Sequence, residues 1–265
     1  MPNKYLDNVI YGDSCEVMED IPSNSIQLTV TSPPYDTQRN YTGNSYTFNT
    51  FMKQAEQLHR ITKQGGVVVW VVRDEVKNGS ESGTSFKQAL YFMECGFKLY
   101  DTMIYAKNHF VPLTHKRYEQ MFEYMFVFSK GKPSTFNPIY EPCKHVGESV
   151  NPKWNSATAK EAGCALRSRE DGTYVIKDKK LKGNIWYYSP SERLDTKGNK
   201  HPAILPYKIA KDHIHTWSNE GDIVFDLMCG SGTTLIVAKQ MNRHFLGIDI
   251  VDEYCNIAKE RLDIC

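Results

Sequence analysis

A chain of 265 residues is long enough to bury one large core, or one core with an inserted lobe. Its 24% charged and 40% hydrophobic residues are the balance of an ordered globular protein and exclude intrinsic disorder. No apolar run approaches the roughly 18 residues of a membrane span, and the first residues lack a hydrophobic signal core, so neither a membrane anchor nor export is expected.

Residues 7–13 predict a short strand ending at Gly12-Asp13, with Ser14 placed to cap a helix through Glu19. Asp13 at that strand end is either a turn or helix-cap aspartate or an acidic group beside a crevice. Ile26-Gln27-Leu28-Thr29-Val30 alternates apolar residues as a strand does, then stops at Thr31-Ser32-Pro33-Pro34-Tyr35. Two consecutive prolines lack N–H groups and have fixed φ, so the backbone leaves the sheet stiff and extended. Such a segment is either a plain turn or a rigid mount for a hydroxyl, a carbonyl and a ring at the edge of a parallel sheet.

Residues 36–50 have loop composition. A helix is expected over 51–61, from the spacing of Phe51, Ala55, Leu58 and Ile61, and another over 86–95, closed by Gly96. Val67–Val72 reads as a strand buried on both faces, and further strands are expected at 98–105 and 124–128. From 132 to about 200 the hydrophobic periodicity disappears, and Trp154, Tyr174, Trp186, Tyr187 and Tyr188 stand among Pro, Gly, Ser and basic residues. Although the whole chain is only +1, residues 131–200 carry 13 Lys plus Arg against 8 Asp plus Glu, a local charge of about +5 that leaves about −4 elsewhere. The stretch is either an irregular surface insertion with a small aromatic core or a lobe facing a polyanion such as nucleic acid.

Beyond it the chain predicts a helix over 207–217, a strand over 223–227, a glycine turn, a helix through Met241, a strand over 243–248 ending at Asp249, and a last helix over 253–262. Strands alternating with helices imply an α/β protein with a doubly wound, mostly parallel sheet. The seven cysteines are scattered, so no CxxC metal or redox pattern exists; they fit reduced thiols in a cytoplasm, and no metal site is expected.

The strand, Gly230-Ser231-Gly232 turn, helix, strand and Asp249 form a nucleotide-handling βαβ unit. The third glycine of a dinucleotide fingerprint is replaced by Leu235. Asp226, directly before the glycines, would repel a pyrophosphate and hold an ammonium. A cationic nucleoside such as S-adenosylmethionine therefore suits the turn better than NAD.

The run Phe225-Asp226-Leu227-Met228-Cys229-Gly230-Ser231-Gly232-Thr233-Thr234 resembles the cofactor motif of amino-methylating DNA methyltransferases, and Thr31-Ser32-Pro33-Pro34-Tyr35 their catalytic motif. The catalytic motif comes first and a basic region separates the two, the order of the β class, a circular rearrangement of the Rossmann-like S-adenosylmethionine-dependent methyltransferase fold. The resemblance covers nearly all of the chain outside 132–200. It implies a catalytic half at 1–131, a target-recognition region at 132–200 and a cofactor-binding half at 201–265.

Residue by residue, the resemblance places Ser32, Pro33, Pro34 and Tyr35 at the reacting base. Phe225, Asp226, Gly230, Ser231, Gly232 and Thr233 lie in the run at the methionine end of the cofactor, with His201 and Pro202 beside its carboxylate. Asp249 would bind the ribose hydroxyls, and Asp13 and Ser14 would lie near the adenine. Two departures stand out: Leu227-Met228 replaces a common Pro-Phe, and Ser32 stands where adenine-directed relatives usually carry Asp or Asn.

The resemblance implies site-specific methylation of an exocyclic amine in double-stranded DNA, with the base flipped into the pocket, in a restriction–modification setting with a separately acting endonuclease. The Ser-Pro-Pro-Tyr form points to N4 of cytosine, with N6 of adenine as the alternative. An RNA or protein-glutamine methyltransferase, or a catalytically silent DNA-binding module, are more distant readings. Pro142-Cys143 lacks the motif that C5 methylation needs. Arg39, Lys107, Arg117, Arg167 and Arg169 are candidates for DNA contact, although each residue type is more often a solvated surface charge. Monomer and homodimer are both compatible with the sequence.

Overall fold

The most apolar run of the chain, Val67–Val72, is buried at every position, and the sheet is built around it. The computed structural model describes residues 2, 4–35, 46–108, 117–150, 174–189 and 204–264. Their contacts divide into two compact units, Met1–Asn137 with Asn184–Cys265, and Pro138–Gly183.

The larger unit holds eight strands of one sheet: β1 (Asn8–Tyr11), β2 (Ile26–Thr31), β3 (Thr62–Val72), β4 (Lys98–Lys107), β5 (Phe122–Ser129), β6 (Ile185–Tyr188), β7 (Ile223–Asp226) and β8 (His244–Asp249). Among the described residues its helices are α1 (Ser14–Glu19), α2 (Phe48–Ile61), α3 (Thr84–Glu94), α4 (Tyr207–Trp217), α5 (Thr233–Gln240) and α6 (Asp252–Ile264). The strand order is β1-β8-β7-β2-β3-β5-β4-β6. Every neighbouring pair is parallel except those of β5, which is antiparallel to both β3 and β4. The α/β, mostly parallel sheet expected from the sequence is present, with one strand reversed.

Alternation along β3 divides the core. Val68, Trp70 and Val72 join Ile26, Phe225, Leu246 and Ile248 and the apolar faces of α1, α2 and α3. Phe51, Ala55, Leu58 and Ile61, the expected stripe of α2, are all fully buried there. Trp70 packs edge-on to Phe51 and Phe92, with its indole N–H donating to Gln88 Oε1 at 2.9 Å, so the ring is buried without an orphaned donor. Val67, Val69 and Val71 serve the opposite face, where α4 packs on β2 and β3 and α5 and α6 follow in succession. Two buried faces explain why β3 reads as a continuous apolar run.

Several details differ from the sequence reading. The cap of α1 is Asp13, whose Oδ1 accepts from the Cys15 amide at 2.7 Å, and Ser14 is the first helical residue. Helices α2 and α3 begin earlier than apolar spacing indicates, at Phe48 and Thr84, because a helix starts at its cap rather than at its first core residue. Ile185–Tyr188, taken above with the irregular stretch, is the edge strand β6, parallel to β4. Its Trp186 and Tyr188 are buried, Trp186 against His213 of α4 and Tyr188 against Tyr105 of β4. A four-residue strand is too short to show an alternation against such a background.

The smaller unit contains two short antiparallel ladders, Tyr140–Pro142 with Lys179–Leu181 and Ser149–Val150 with Tyr174–Val175. Among the described residues no helix is long and apolar enough to cross a membrane.

Candidate active site

The chain reverses its winding between β7 and β2. From β7 it continues to β8 on one side, and from β2 to β3 on the other, so the carboxyl ends of β2 and β7 flank a crevice. The glycine turn after β7 and the Pro-Pro segment after β2, far apart in sequence, thereby become neighbours. A hydrogen bond ties them: Thr31 Oγ1, at the end of β2, donates to Asp226 Oδ1, at the end of β7, at 2.7 Å. The cavity above this point has a volume of about 320 Å³.

On the β2 side Ser32, Pro33, Pro34 and Tyr35 line the cavity. Ser32 Oγ and the Tyr35 hydroxyl are 2.9 Å apart, and the Tyr35 hydroxyl donates to Glu123 Oε2 at 2.8 Å. Glu123 Oε1 is paired with Lys107 Nζ at 2.7 Å, both side chains being largely shielded. The Arg73 guanidinium lies 5.9 Å from the centre of the Tyr35 ring. Burial, and next the Glu123 charge, push the Tyr35 phenol well above its ordinary range, so the hydroxyl stays protonated and acts as a donor. Glu123 reaches this place because β5 is reversed. Its register puts Glu123 opposite Tyr105, near the end of β4, so the first residues of β5 meet the last residues of the parallel strands.

On the β7 side the polar groups are held by backbone. Asp226 is 4% exposed and accepts, besides Thr31, the Met228 amide at 3.2 Å. Asp249, at the end of β8, accepts the Gly230 amide at 2.8 Å and the Val251 amide at 3.0 Å. Burial lifts Asp226 to about 6 and raises Asp249 as well. For Asp226 that shift makes its ionised form cost about 3 kcal/mol at neutral pH, a cost that a neighbouring cation offsets. Thr233 Oγ1 is buried without a hydrogen-bond partner, and α5 starts at Gly232 with no side-chain cap. Two buried carboxylates suit a cation with hydroxyls, while an uncapped helix start and an orphaned hydroxyl suit an anionic end. Cys229 also lines the cavity, but burial and the nearby carboxylates hold its thiol protonated, which makes it a poor nucleophile.

Gly232 is set back from the cavity wall. Its φ is +78°, and a Cβ there would lie 2.9 Å from Ala258 Cβ of α6, so this glycine serves helix packing and a left-handed turn. Gly230, Ser231, Thr233, Asp13 and Ser14 do line the cavity. Phe225 does not: it is fully buried in the α1–α3 core, because its side chain leaves β7 on the face opposite to the site. His201 and Pro202 lie outside the described residues, as do Arg39, Arg167 and Arg169; Ile204, Leu205 and Pro206 line the wall instead. Lys107 is in the cavity wall, ion-paired, rather than on an open surface. Arg117 donates to the Gly79 carbonyl at 3.1 Å, beside the hairpin of Val76–Lys77 and Ser80–Glu81.

The sequence reading missed Glu123, Arg73, Tyr46, Thr50 and Gln54, all of which line the cavity. Gln54 joins α2 to α1: its amide nitrogen donates to Ser14 Oγ and its oxygen accepts from the Tyr46 hydroxyl, each at 2.8 Å. A signal for Thr50 and Gln54 existed, since both are polar, four apart, and adjoin the apolar stripe of α2. For Glu123 none existed without the direction of β5.

A family model described as DNA methylase matches residues 26–260. The orphan methyltransferase M.BamHII of Bacillus amyloliquefaciens is 48% identical over 254 residues, covering 92% of this chain and 91% of that protein. Among solved structures, PvuII DNA methyltransferase (cytosine-N4-specific) superposes with a TM-score of 0.70 at 21% identity, covering 98% of this chain and 89% of that one. TTHA0409, a DNA modification methylase of Thermus thermophilus solved with S-adenosyl-L-methionine, gives 0.63 at 21% identity, covering 97% and 95%. At such identities the two structures speak for the fold; the family match and the 48% relative go further. With the catalytic and glycine segments joined at one crevice of that fold, this chain belongs to the N6/N4 DNA methylase family.

Proposed function

We propose that this DNA methylase transfers a methyl group from S-adenosylmethionine to the exocyclic N4 of cytosine, at a defined sequence in duplex DNA. The observation that carries the choice of base is Ser32: a neutral hydroxyl stands first in the Pro-Pro-Tyr segment, where a carboxylate or carboxamide would mark an adenine-directed relative.

S-adenosylmethionine, when bound, supplies a methyl group already activated by a sulfonium, so no covalent intermediate with the protein is required. Asp226 would hold the cationic end, Asp249 would accept from ribose hydroxyls with its outward lone pairs, and Thr233 with the start of α5 would receive the carboxylate. An exocyclic amine is a poor nucleophile because its lone pair is conjugated with the ring. Ser32 Oγ and the Pro33 carbonyl would each accept one of its N–H bonds, letting the nitrogen pyramidalise toward the methyl group. Tyr35 would stack on the base, which must be flipped out of the duplex to enter a cavity of this size. Positioning supplies most of the acceleration.

The basic stretch at 132–200 is the proposed target-recognition region, where cations hold phosphates and planar or polar side chains read base edges. The product is a methyl mark on cellular DNA, and a nuclease blocked by that mark would be a separate protein. The described cysteines that stand free, among them Cys15, Cys95 and Cys143, fit action in a reducing cytoplasm.

The test is transfer of labelled methyl groups from S-adenosylmethionine to unmethylated duplex DNA of mixed sequence, followed by nucleoside analysis. N4-methylcytosine is expected. N6-methyladenine would move the target to the other base, and no transfer to any DNA would leave a binding module.

A further inference from the structure

We propose that Glu123 is a positioning residue that fixes the direction of the Ser32 hydroxyl. The inference rests on the reading that Ser32 accepts a hydrogen bond from the target amine, and it concerns what makes Ser32 able to do so. A serine hydroxyl is both donor and acceptor, and its rotor turns to suit its surroundings. Facing an amine, it helps only if its hydrogen points elsewhere.

Ser32, Tyr35, Glu123 and Lys107 form one unbranched chain of contacts, at 2.9, 2.8 and 2.7 Å. Its far end is fixed: Lys107 can only donate, so it engages Glu123 Oε1 and leaves Oε2 for Tyr35. An ionised carboxylate can only accept, so the Tyr35 hydroxyl must give its one hydrogen to Glu123. The remaining contact then has a single possible sense, with Ser32 donating to the Tyr35 oxygen. Ser32 Oγ is left with lone pairs toward the cavity, the arrangement that accepting from N–H requires. The carboxylate acts at a distance of two hydrogen bonds and touches no substrate atom in this scheme.

Glu123→Gln reverses the chain without removing a contact. Lys107 would draw the carboxamide oxygen, turning the NH₂ toward Tyr35; Tyr35 would then donate to Ser32, and Ser32 would present its hydrogen to the amine. Donor facing donor should slow the transfer step by about tenfold or more.

The experiment measures kcat on unmethylated duplex DNA, the calorimetric Kd for S-adenosylmethionine, and the thermal midpoint, for Ser32→Ala, Tyr35→Phe, Glu123→Gln, Glu123→Asp and the Tyr35→Phe/Glu123→Gln pair. Glu123→Gln should lower kcat with Kd and midpoint unchanged, and Glu123→Asp should recover part of the loss. The double variant should be no slower than Tyr35→Phe alone, because the chain is already cut at Tyr35. Wild-type kcat in Glu123→Gln, multiplying effects in the pair, or a parallel loss of cofactor affinity or stability would each overturn the proposal. If Ser32→Ala retains full turnover, the underlying reading of Ser32 fails; if it is slow while Glu123→Gln is not, only the role of Glu123 fails.

Discussion

The two walls of the cavity are built on different principles. On the β7 side each carboxylate takes backbone amides, Met228 for Asp226 and Gly230 and Val251 for Asp249, so its place is set by the strand ends themselves. On the β2 side, Ser32, Tyr35, Glu123 and Lys107 hold one another by side-chain contacts from three separate strands. A backbone-held group loses little when its neighbours change, whereas a side-chain relay fails as a unit. The difference assigns binding to the first wall and turnover to the second, and substitutions should separate the two.

The largest effect is expected for Tyr35→Ala, which removes both the stacking ring and the middle of the relay. Turnover should fall by about 100-fold or more, the scale of misplacing a reacting group, while the cofactor Kd stays near that of the unaltered protein. Stopped-time methylation assays and calorimetry measure the pair of constants; equal losses in both would erase the distinction between the walls.

How far this contrast could be read in the sequence depends on how each wall is assembled. Asp226, Asp249 and Ser32 are each the last residue of a strand or the next one after it, so short contiguous motifs reveal them. Glu123 begins a strand, and a residue at the start of a parallel strand would lie at the opposite edge of the sheet from Ser32. Only the reversal of β5, which the run Tyr124–Phe128 does not encode by itself, brings it to the site. Gln54 was hidden for another reason: a polar residue flanking an apolar helical stripe looks like solvent-facing surface, yet it is buried between α1 and the cavity. Phe225 shows the converse. It lies within the cofactor run, but alternation along β7 turns it into the core.

Asp249→Ala tests the binding wall. Loss of a buried charged acceptor should weaken the cofactor Kd by about 1–3 kcal/mol and change kcat at saturating cofactor much less. An unchanged Kd would mean that the ribose is bound elsewhere.

Gly232→Ala asks whether that glycine belongs to the fold or to the ligand. Its positive φ and the 2.9 Å approach to Ala258 lead to a loss of about 1–3 kcal/mol in stability, read by denaturant unfolding. An unchanged midpoint with weakened cofactor binding would return Gly232 to the site.

The smallest effect is a pH dependence confined to the binding wall. Burial places Asp226 at about 6, above the ordinary carboxylate value near 4, so the folded protein holds this proton more tightly than the unfolded chain. The contribution is fully present below about pH 4 and is lost as pH rises through about 6. A cation binds the ionised form, so cofactor affinity should be level above about pH 7 and fall by up to about tenfold per unit below pH 6. Calorimetric titrations from pH 5 to 8 measure this, and a flat profile would remove Asp226 from the cationic end.

The most direct test of the whole account is the nucleoside content of DNA from cells expressing this chain, set beside DNA from cells expressing its Ser32→Ala variant. N4-methylcytosine is expected in the first and absent or strongly reduced in the second. N6-methyladenine in the first, or equal N4-methylcytosine in both, would contradict it.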